Sequence, residues 1–483
     1  MLEAVAAVDL GATSGRVMLG YVGQNDLRLV PVSRFPNGPV KRMDGLYWDV
    51  TDLFTQVSAG LASAARVEPD IASIAVDSWA VDYGLLSGGR MTAEPFHYRD
   101  ARTATGVAAV HSVVSRERLY AENGLQFLPF NTLYQLAEDR IAGRLDGVDS
   151  FLLIPDLISY WLTGRQFAER TNASTTGLLS VSTGDWDDSL IEALGLPRHI
   201  FAPLIHSGST VGGLLSPMAQ ELGVGRGTSV TAIGSHDTAS AVAAIPATTP
   251  DFAYISCGTW SLVGVELDRP VLTEASRLAN FTNEAGVDGR IRYLRNVMGL
   301  WLLSESVRSW EADGVRIDLP VLLAQSADIA GDIPVFDPDD VAFLAPGDMP
   351  ARIGRWFGER GLAAPTSRAA IVRSILESLA DAYAHAIRTA HELTGKTISV
   401  IHIVGGGSQN ELLCQLTADR TGLAVVAGPV EATAIGNVLI QARTAGFFAG
   451  DLETLRAIVT RSARQIRYLP RVTRGRAEGS RSG

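Results

Sequence analysis

Residues 234–242, GSHDTASAV, set an imidazole beside a carboxylate and follow them with small side chains. Two kinds of chemistry fit that arrangement. Asp237 can take the proton of a hydroxyl whose oxygen attacks a phosphorus centre, general-base help typically worth about 10²–10⁴-fold. It can equally be the N-cap of a helix beginning near Thr238, accepting an orphan backbone N–H. The residue types leave both readings open, and one aspartate can do both.

A phosphoryl acceptor needs a phosphate donor, and three small-residue turns suit one. DLGATSGR (residues 9–16) joins two strand-like stretches and carries the Thr13 and Ser14 hydroxyls and the Arg16 guanidinium. SCGTWS (256–261) repeats the design with Gly258 and Thr259, and VGGGSQN (404–410) follows a strand pattern and opens a helix. Such turns present backbone N–H groups without side-chain obstruction and form concavities that hold anions. One alone is an ordinary turn; the three together favour a nucleotide. TGKT (394–397) imitates the end of a P-loop, but Ala390 stands where that motif needs glycine, and a helix pattern precedes Lys396 instead of following it. It reads as a helix end.

The elements that must position these residues show in the apolar spacing. Residues 4–22 read as strand, turn and strand, and 71–86 as a second β-rich pair. The stretch between them reads as a helix capped by Asp49 or Thr51. Residues 131–145 and 152–163 read as helices, the latter stopped by Gly164. After a Pro/Thr-rich break at 244–251, residues 252–267 repeat the opening strand–turn–strand. Ile371, Ile375, Leu379, Tyr383 and Ile387 recur every four residues, which predicts a long helix ending at Gly395. A strand at 398–404, a helix from Glu411, a strand at 423–428 and a further helix complete the pattern. Two halves opening with one β-turn-β unit predict two related α/β domains facing a common cleft, over 1–245 and 246–450. An Arg-rich, partly flexible extension is expected over 451–483.

Composition narrows the class. Of 483 residues 46% are hydrophobic and only 19% charged, which suits packed domains and excludes a disordered chain. A net charge of -11 argues against a broad nucleic-acid surface. The local exception is the run of Arg461, Arg464, Arg467, Arg471, Arg474, Arg476 and Arg481, expected to be a solvated terminus. No signal-peptide pattern opens the chain, and no apolar run approaches the roughly 18 residues of a membrane span, so a soluble cytoplasmic protein is expected. Two distant cysteines, Cys257 and Cys414, allow no disulfide framework or zinc spacing, and Cys257 reads as a small buried filler. His97 and His402 are isolated, without metal-ligand spacing. Trp79, Trp260 and Trp301 suit either the wall of a sugar pocket or the core.

With these residues in hand, the chain resembles the FGGY family of carbohydrate kinases. AVDLGATSGRVML, VDSWAVDYGLL, YRDARTATG, GLQFLPFNTLYQL, SHDTASAV, SCGTWSL, NVMGLWLL and HIVGGGSQN followed by AGPVEAT resemble family segments in the same order, from about residue 4 to 445. GLQFLPFNTLYQL and NVMGLWLL point to one branch of it. The resemblance implies an α/β fold of two ribonuclease-H-like, actin-like domains flanking a central cleft where ATP and sugar meet. It implies ATP-dependent phosphorylation of L-rhamnulose at its 1-hydroxyl in L-rhamnose catabolism, with Mg2+, no nucleic-acid or membrane partner, and a monomer or small homo-oligomer. Asp237 then matches the catalytic base, and Ala80, His236, Thr238 and Asn296 match sugar contacts. Ala12, Thr13, Ser14, Gly15, Arg16, Thr259 and Gly406 match ATP-contacting positions, and Ser304 stands where a relative has an ATP-contacting glutamine. Asp9 matches the aspartate that opens the first phosphate turn and suits a role near the metal, through water. Ala80 stands where glycine is usual, a methyl that narrows the sugar pocket. Two alternatives stand beside this reading: an FGGY kinase for another sugar (L-fuculose or xylulose), and an actin-like ATP-driven conformational switch or chaperone.

Overall fold

A computed structural model of the protein describes residues 2–471 other than 25 and 226. The opening apolar stretch forms β1 (Glu3–Leu10), buried at every position but Glu3. A strand without a polar face has to be covered on both sides. Beside it β2 (Ser14–Val22) and β3 (Leu27–Pro36) run antiparallel. The helix α1 (Val50–Val67) then carries the chain to β4 (Ile71–Ser78), parallel to β1. Asp49 is the N-cap of α1, its side chain accepting from Asp52 N at 2.9 Å. The 71–86 stretch does not pair with itself. Val81 turns the chain out of the sheet with φ of 71°, and Tyr83–Ser87 joins a small separate sheet with Arg90–Met91 and Ser150–Leu153. The 152–163 pattern likewise splits, its first two residues ending a strand before the helix Ile154–Thr163. With β5 (Ser209–Gly213) and β6 (Ser229–Ala232), the first large sheet has the order β5-β6-β4-β1-β2-β3.

The chain leaves this sheet through α2 (Asp237–Ala243) and begins the second lobe with β7 (Phe252–Cys257) and β8 (Trp260–Leu267). There follow β9 (Thr282–Ala285), β10 (Ile291–Met298), α3 (Trp301–Ala312) and the long α4 (Arg368–Thr394). Gly395, at φ of 66°, caps α4 in the left-handed region, so TGKT is the end of a helix. Next come β11 (Val400–Val404), α5 (Glu411–Thr421), β12 (Ala424–Ala427), α6 (Ala432–Thr444), α7 (Leu452–Ser462) and β13 (Ile466–Tyr468). The second sheet has the order β9-β10-β8-β7-β11-β12-β13. Each lobe thus lays down three antiparallel strands and then two parallel ones reached through a helix: β3-β2-β1-β4-β6 in the first, β10-β8-β7-β11-β12 in the second. The repetition seen at residues 4–22 and 252–267 extends to the whole topology. Arg461, Arg464, Arg467 and Arg471 fall on or beside α7 and β13, while Arg474, Arg476 and Arg481 lie outside the described residues. Among the described residues no helix is long and apolar enough to cross a membrane.

The helices α2 and α6 are the equivalent last steps of the two lobes, and they pack on each other between the sheets. The second-lobe helix α6 also lies across β1, β2 and β4 of the first sheet. Asn437 donates to Asp77 Oδ2 at 2.6 Å, and Gln441 donates to Ala6 O at 3.1 Å. One buried cluster runs continuously through Val5, Ala75, Ala241, Tyr254, Val404 and Val438, from one sheet through both helices to the other. At the helix crossing a Cβ on Gly436 would stand 1.9 Å from Ser240 O, so only glycine admits this approach. Gly436→Ala is therefore expected to force the helices apart and destabilise the protein by about 1–3 kcal/mol, read as a lowered urea unfolding midpoint. A midpoint equal to wild type would mean the crossing is looser than described.

Candidate active site

Between the lobes lies a cavity of about 330 Å³ lined from both. One end is formed by the three small-residue turns. In the first, Gly11 N donates to Ser14 O at 3.0 Å, and Asn37 pins the turn through Gly11 O (2.8 Å) and Thr13 O (3.1 Å). Gly11, Ala12, Thr13 and Ser14 face the cavity. Gly15 does not; a Cβ there would collide with the Phe35 ring at 2.2 Å, so this glycine serves packing. In the second turn Gly258 N donates to Trp260 O at 2.8 Å, leaving Gly258 and Thr259 on the cavity wall. The third brings Gly405 and Gly406 to the same end, joined by Val430 and by Thr433 of α6. Nothing stands within 4 Å of a Cβ built on Gly406, while Gly407 is held glycine by Cys257 Sγ at 2.1 Å. Cys257 is 1% exposed, and burial pushes its thiol up, so it is the inert filler its small size suggests. Both cysteines are free.

Ser304 is not brought to this cavity. On α3 the apolar Trp301, Leu302 and Leu303 turn inward, and Ser304 lies exposed. Arg16 reaches the cavity with its donors already engaged. Nε and Nη2 hold Asp9 Oδ2 at 3.0 and 2.8 Å, and Nη1 pairs with Glu431 of the second lobe.

The opposite end is an aromatic and amide-lined pocket. Trp79, Ala80, Val81, Tyr98, Gln126, Phe130, Asn131, His236, Thr238, Trp260 and Asn296 line it. Two of the three tryptophans singled out from sequence are wall residues, and Trp301 is packed in the core. Gln126 Oε1 accepts from Asn296 N (2.8 Å) and Nδ2 (3.0 Å), tying the lobes across the pocket floor. Neither Gln126 nor Asn131 carries a local sequence signal, although both sit in GLQFLPFNTLYQL.

The wall is braced from behind by Asp82, which is fully buried. Its Oδ2 accepts from Trp48 Nε1 (2.6 Å), Trp79 Nε1 (3.1 Å) and Tyr98 N (3.1 Å), and its Oδ1 from Gln135 Nε2 (2.9 Å). Trp79, Trp48, His97 and Tyr98 stack in succession at centroid distances of 4.0, 4.0 and 4.6 Å. Burial lowers the His97 imidazole to about 3, so it is a neutral spacer within the stack. Positive φ at a β-branched residue is strained by about 1–3 kcal/mol. At Val81 the strain is held by Thr132 Oγ1, donating to Val81 O at 2.8 Å.

Asp237 lines the same cavity, near enough to Asp9 for its charge to act on that carboxyl. It is the first residue of α2, with His236 in the N-cap position, and its side chain makes no capping bond. Thr238 Oγ1 donates to Asp237 Oδ1 at 3.1 Å, and the side chain keeps 32% of its surface exposed. The capping alternative therefore falls away, and the carboxylate is presented to the cavity. Two more carboxylates lie near. Asp9 and Asp77 are paired residues on the adjacent strands β1 and β4. Burial, partly offset by Arg16, raises Asp9 to about 6, and Asp237 adds to the rise. Burial and then Asp9 raise Asp77 well above the carboxylate range, and its Oδ1 is buried without a hydrogen-bond partner.

Burial likewise raises Asp82 from 3.8 to about 6 against the pull of its four donors. The sign follows from linkage. Between those values the folded protein keeps a proton that the unfolded chain has lost, so the contribution of Asp82 to stability is largest below pH 3.8 and declines until about pH 6. The stability advantage of wild type over Asp82→Asn is expected to shrink as pH rises through that window, measured by urea midpoints at pH 4 and 7. An advantage that grows with pH would reverse the assignment.

Comparison with known proteins agrees with this architecture. The model of the FGGY family of carbohydrate kinases, N-terminal domain, matches residues 5–244, and that of its C-terminal domain matches 253–445. A rhamnulokinase of Bacteroides thetaiotaomicron is 40% identical over 467 residues, covering 96% of this chain and 95% of that protein. One of Pectobacterium atrosepticum is 41% identical over 474 residues, covering 97% and 93%. Among solved structures, a xylulose kinase of Lactobacillus acidophilus superposes with a TM-score of 0.79 at 15% identity, covering 97% of this chain and 94% of that one. The glycerol kinase of Plasmodium falciparum with ADP superposes with a TM-score of 0.76 at 15% identity, over 97% and 94%. By sequence, by the order of its motifs and by the fold of both lobes, the chain belongs to the FGGY family of carbohydrate kinases.

Proposed function

We propose that the protein transfers the γ-phosphoryl group of ATP to the 1-hydroxyl of L-rhamnulose, giving L-rhamnulose 1-phosphate and ADP, in L-rhamnose catabolism. One observation carries the reading. Asp237, the first residue of α2, lines one cavity together with the small-residue turns and with Trp79, Gln126 and Asn296. The choice of sugar is supported by relatives of that name, matched along more than nine-tenths of both chains.

In this reading the sugar lies against Trp79 and Ala80, with His236, Thr238 and Asn296 as polar contacts. The triphosphate lies along Ala12–Ser14, Gly258, Thr259 and Gly406. Asp237 takes the proton of the 1-hydroxyl as its oxygen bonds to the γ-phosphorus, and the bond from phosphorus to the β–γ bridging oxygen breaks to release ADP. Holding the two substrates in line contributes on the order of 7–11 kcal/mol to lowering the barrier, so the cleft's walls matter as much as the base. The methyl of Ala80 trims the pocket, and one methylene shifts sugar binding by about 1–3 kcal/mol.

A magnesium ion fits the residues present. Asp9 faces the cavity with Oδ2 held by Arg16, and the buried Oδ1 of Asp77 beside it accepts no hydrogen bond. Among the described residues no group of three or more His, Cys, Asp or Glu forms a metal cage. Mg2+ characteristically needs none, taking one or two carboxylates, often through water, with the substrate's phosphate oxygens. Asp9 would hold it, and when bound it would neutralise charge on the β- and γ-phosphates.

The test is a coupled ADP-release assay on wild type and Asp237→Asn with L-rhamnulose, L-fuculose, D-xylulose and no sugar. The expected result is release with L-rhamnulose only, dependent on Mg2+ and at least about 10²-fold slower in the variant. Preference for another sugar would keep the mechanism and change the substrate. Release without sugar, indifferent to Asp237, would overturn the reading in favour of an ATP-driven switch.

A further inference from the structure

His236 is gripped on its inner side by a buried ion pair from the other lobe. Glu284 of β9 and Arg292 of β10 are directly opposed residues of the antiparallel pair, with Arg292 Nη1 3.0 Å from Glu284 Oε2. Both are buried, Arg292 at 1% exposure and Glu284 at 5%. Arg292 Nε donates to Ala285 O at 3.0 Å, and Nη2 lies 3.1 Å from His236 Nδ1. Glu284 Oε2 is 3.3 Å from the same Nδ1. On the outer side of the ring, Nε2 lies 3.5 Å from Asp237 Oδ1. Close contacts thus run from Arg292 and Glu284 of the second sheet through His236 to Asp237 on α2.

Arg292 decides where the imidazole proton sits. A guanidinium has donors only and stays charged. A nitrogen facing it at 3.1 Å has to offer a lone pair, so Nδ1 is bare and the proton is on Nε2. The other tautomer would set an N–H against the guanidinium and leave a lone pair facing Asp237. An imidazolium would add a second buried positive charge beside the first. Burial works to raise the Glu284 carboxyl, but the Arg292 guanidinium leads the groups that hold it below its usual range, so Glu284 is the counter-ion that keeps Arg292 in place. The other charged or titratable groups nearby are Glu169, which binds Ser235 and Thr171 beneath His236 N, and Asp77 and Asp9 on the strands beside Asp237. None of them donates a proton toward Nδ1.

We propose that the Arg292–Glu284 pair locks His236 as the neutral Nε2–H tautomer, which donates toward Asp237 Oδ1 and aims the base's other oxygen at the sugar hydroxyl. Arg292 and Glu284 are positioning residues that act through His236. A neutral donor orients the carboxylate without setting a full positive charge against it, which would weaken it as a base. The second lobe thereby takes part in preparing a base carried on α2. The functional half of the proposal rests on Asp237 being the base, while the tautomer does not.

The two are separated by reading both. ¹⁵N NMR of histidine-labelled protein, with His236 assigned through His236→Gln, is expected to give a protonated Nε2 and a bare Nδ1 at pH 8. In Arg292→Met/Glu284→Gln, which removes both buried charges together, the proton is expected to move to Nδ1, facing the new amide oxygen. There kcat is expected to fall about 10²-fold, by more than sugar KM rises, and Arg292→Lys, which keeps a permanent donor, is expected to recover part of it. A wild-type Nδ1–H tautomer or imidazolium would overturn the lock whether or not the variants fold. A folded double variant with wild-type kcat would overturn the positioning role. Activity surviving in Asp237→Asn, with the tautomer as expected, would instead sink the base and leave the lock standing.

Discussion

A Cβ at Gly436 would stand 1.9 Å from Ser240 O, so α2 and α6 meet at backbone contact between the two sheets. That approach sets the rest. It lays a second-lobe helix across β1, β2 and β4, lets Asn437 and Gln441 satisfy polar groups of the first sheet, and joins the lobes through one apolar core. It also positions Asp237, because that residue is the first of α2. A wider crossing would move Asp237 relative to the small-residue turns, which belong to the sheets on either side.

Electrostatics concentrates tension at the same place. Burial raises the affinity of Asp9 and Asp77 for protons, and the charge of Asp237 beside them adds to the rise. Arg16 and Asn437 relieve part of this, and Arg16 reaches Glu431 of the other lobe as well. Crowding carboxylates in this way lowers stability, as is common at functional sites. The strain at Val81 is similar in kind: a β-branched residue at positive φ, held by Thr132 and Gln135, where the wall of the pocket has to turn.

The aromatic wall works by stacking and by one buried carboxylate. Asp82 gathers Trp48, Trp79, the Tyr98 backbone and Gln135 around itself, so the indole facing the pocket is oriented from behind. The ring is thereby held rigid beside Gln126 and Asn296, whose amides fix each other.

Much of this was legible in the sequence, for a local reason. A glycine turn between strands, a stop glycine such as Gly395, the cap at Asp49 and the His236–Asp237 dipeptide each depend on neighbours in the chain, so composition and spacing expose them. The apolar periods determined two α/β units with a repeated opening, because a strand or helix declares its buried face through its own pattern. Tertiary structure alone decided what depends on contacts between distant segments. Gly15 turned out to serve Phe35, Trp301 the core, and Ser304 the surface. Asp237 lost its capping role because α2 starts one residue earlier than its spacing suggests. Glu284 and Arg292 look like ordinary strand charges until strand pairing opposes them and the start of α2 brings His236 against both. The chain specified which groups it carries; only packing between the lobes could decide which of them meet.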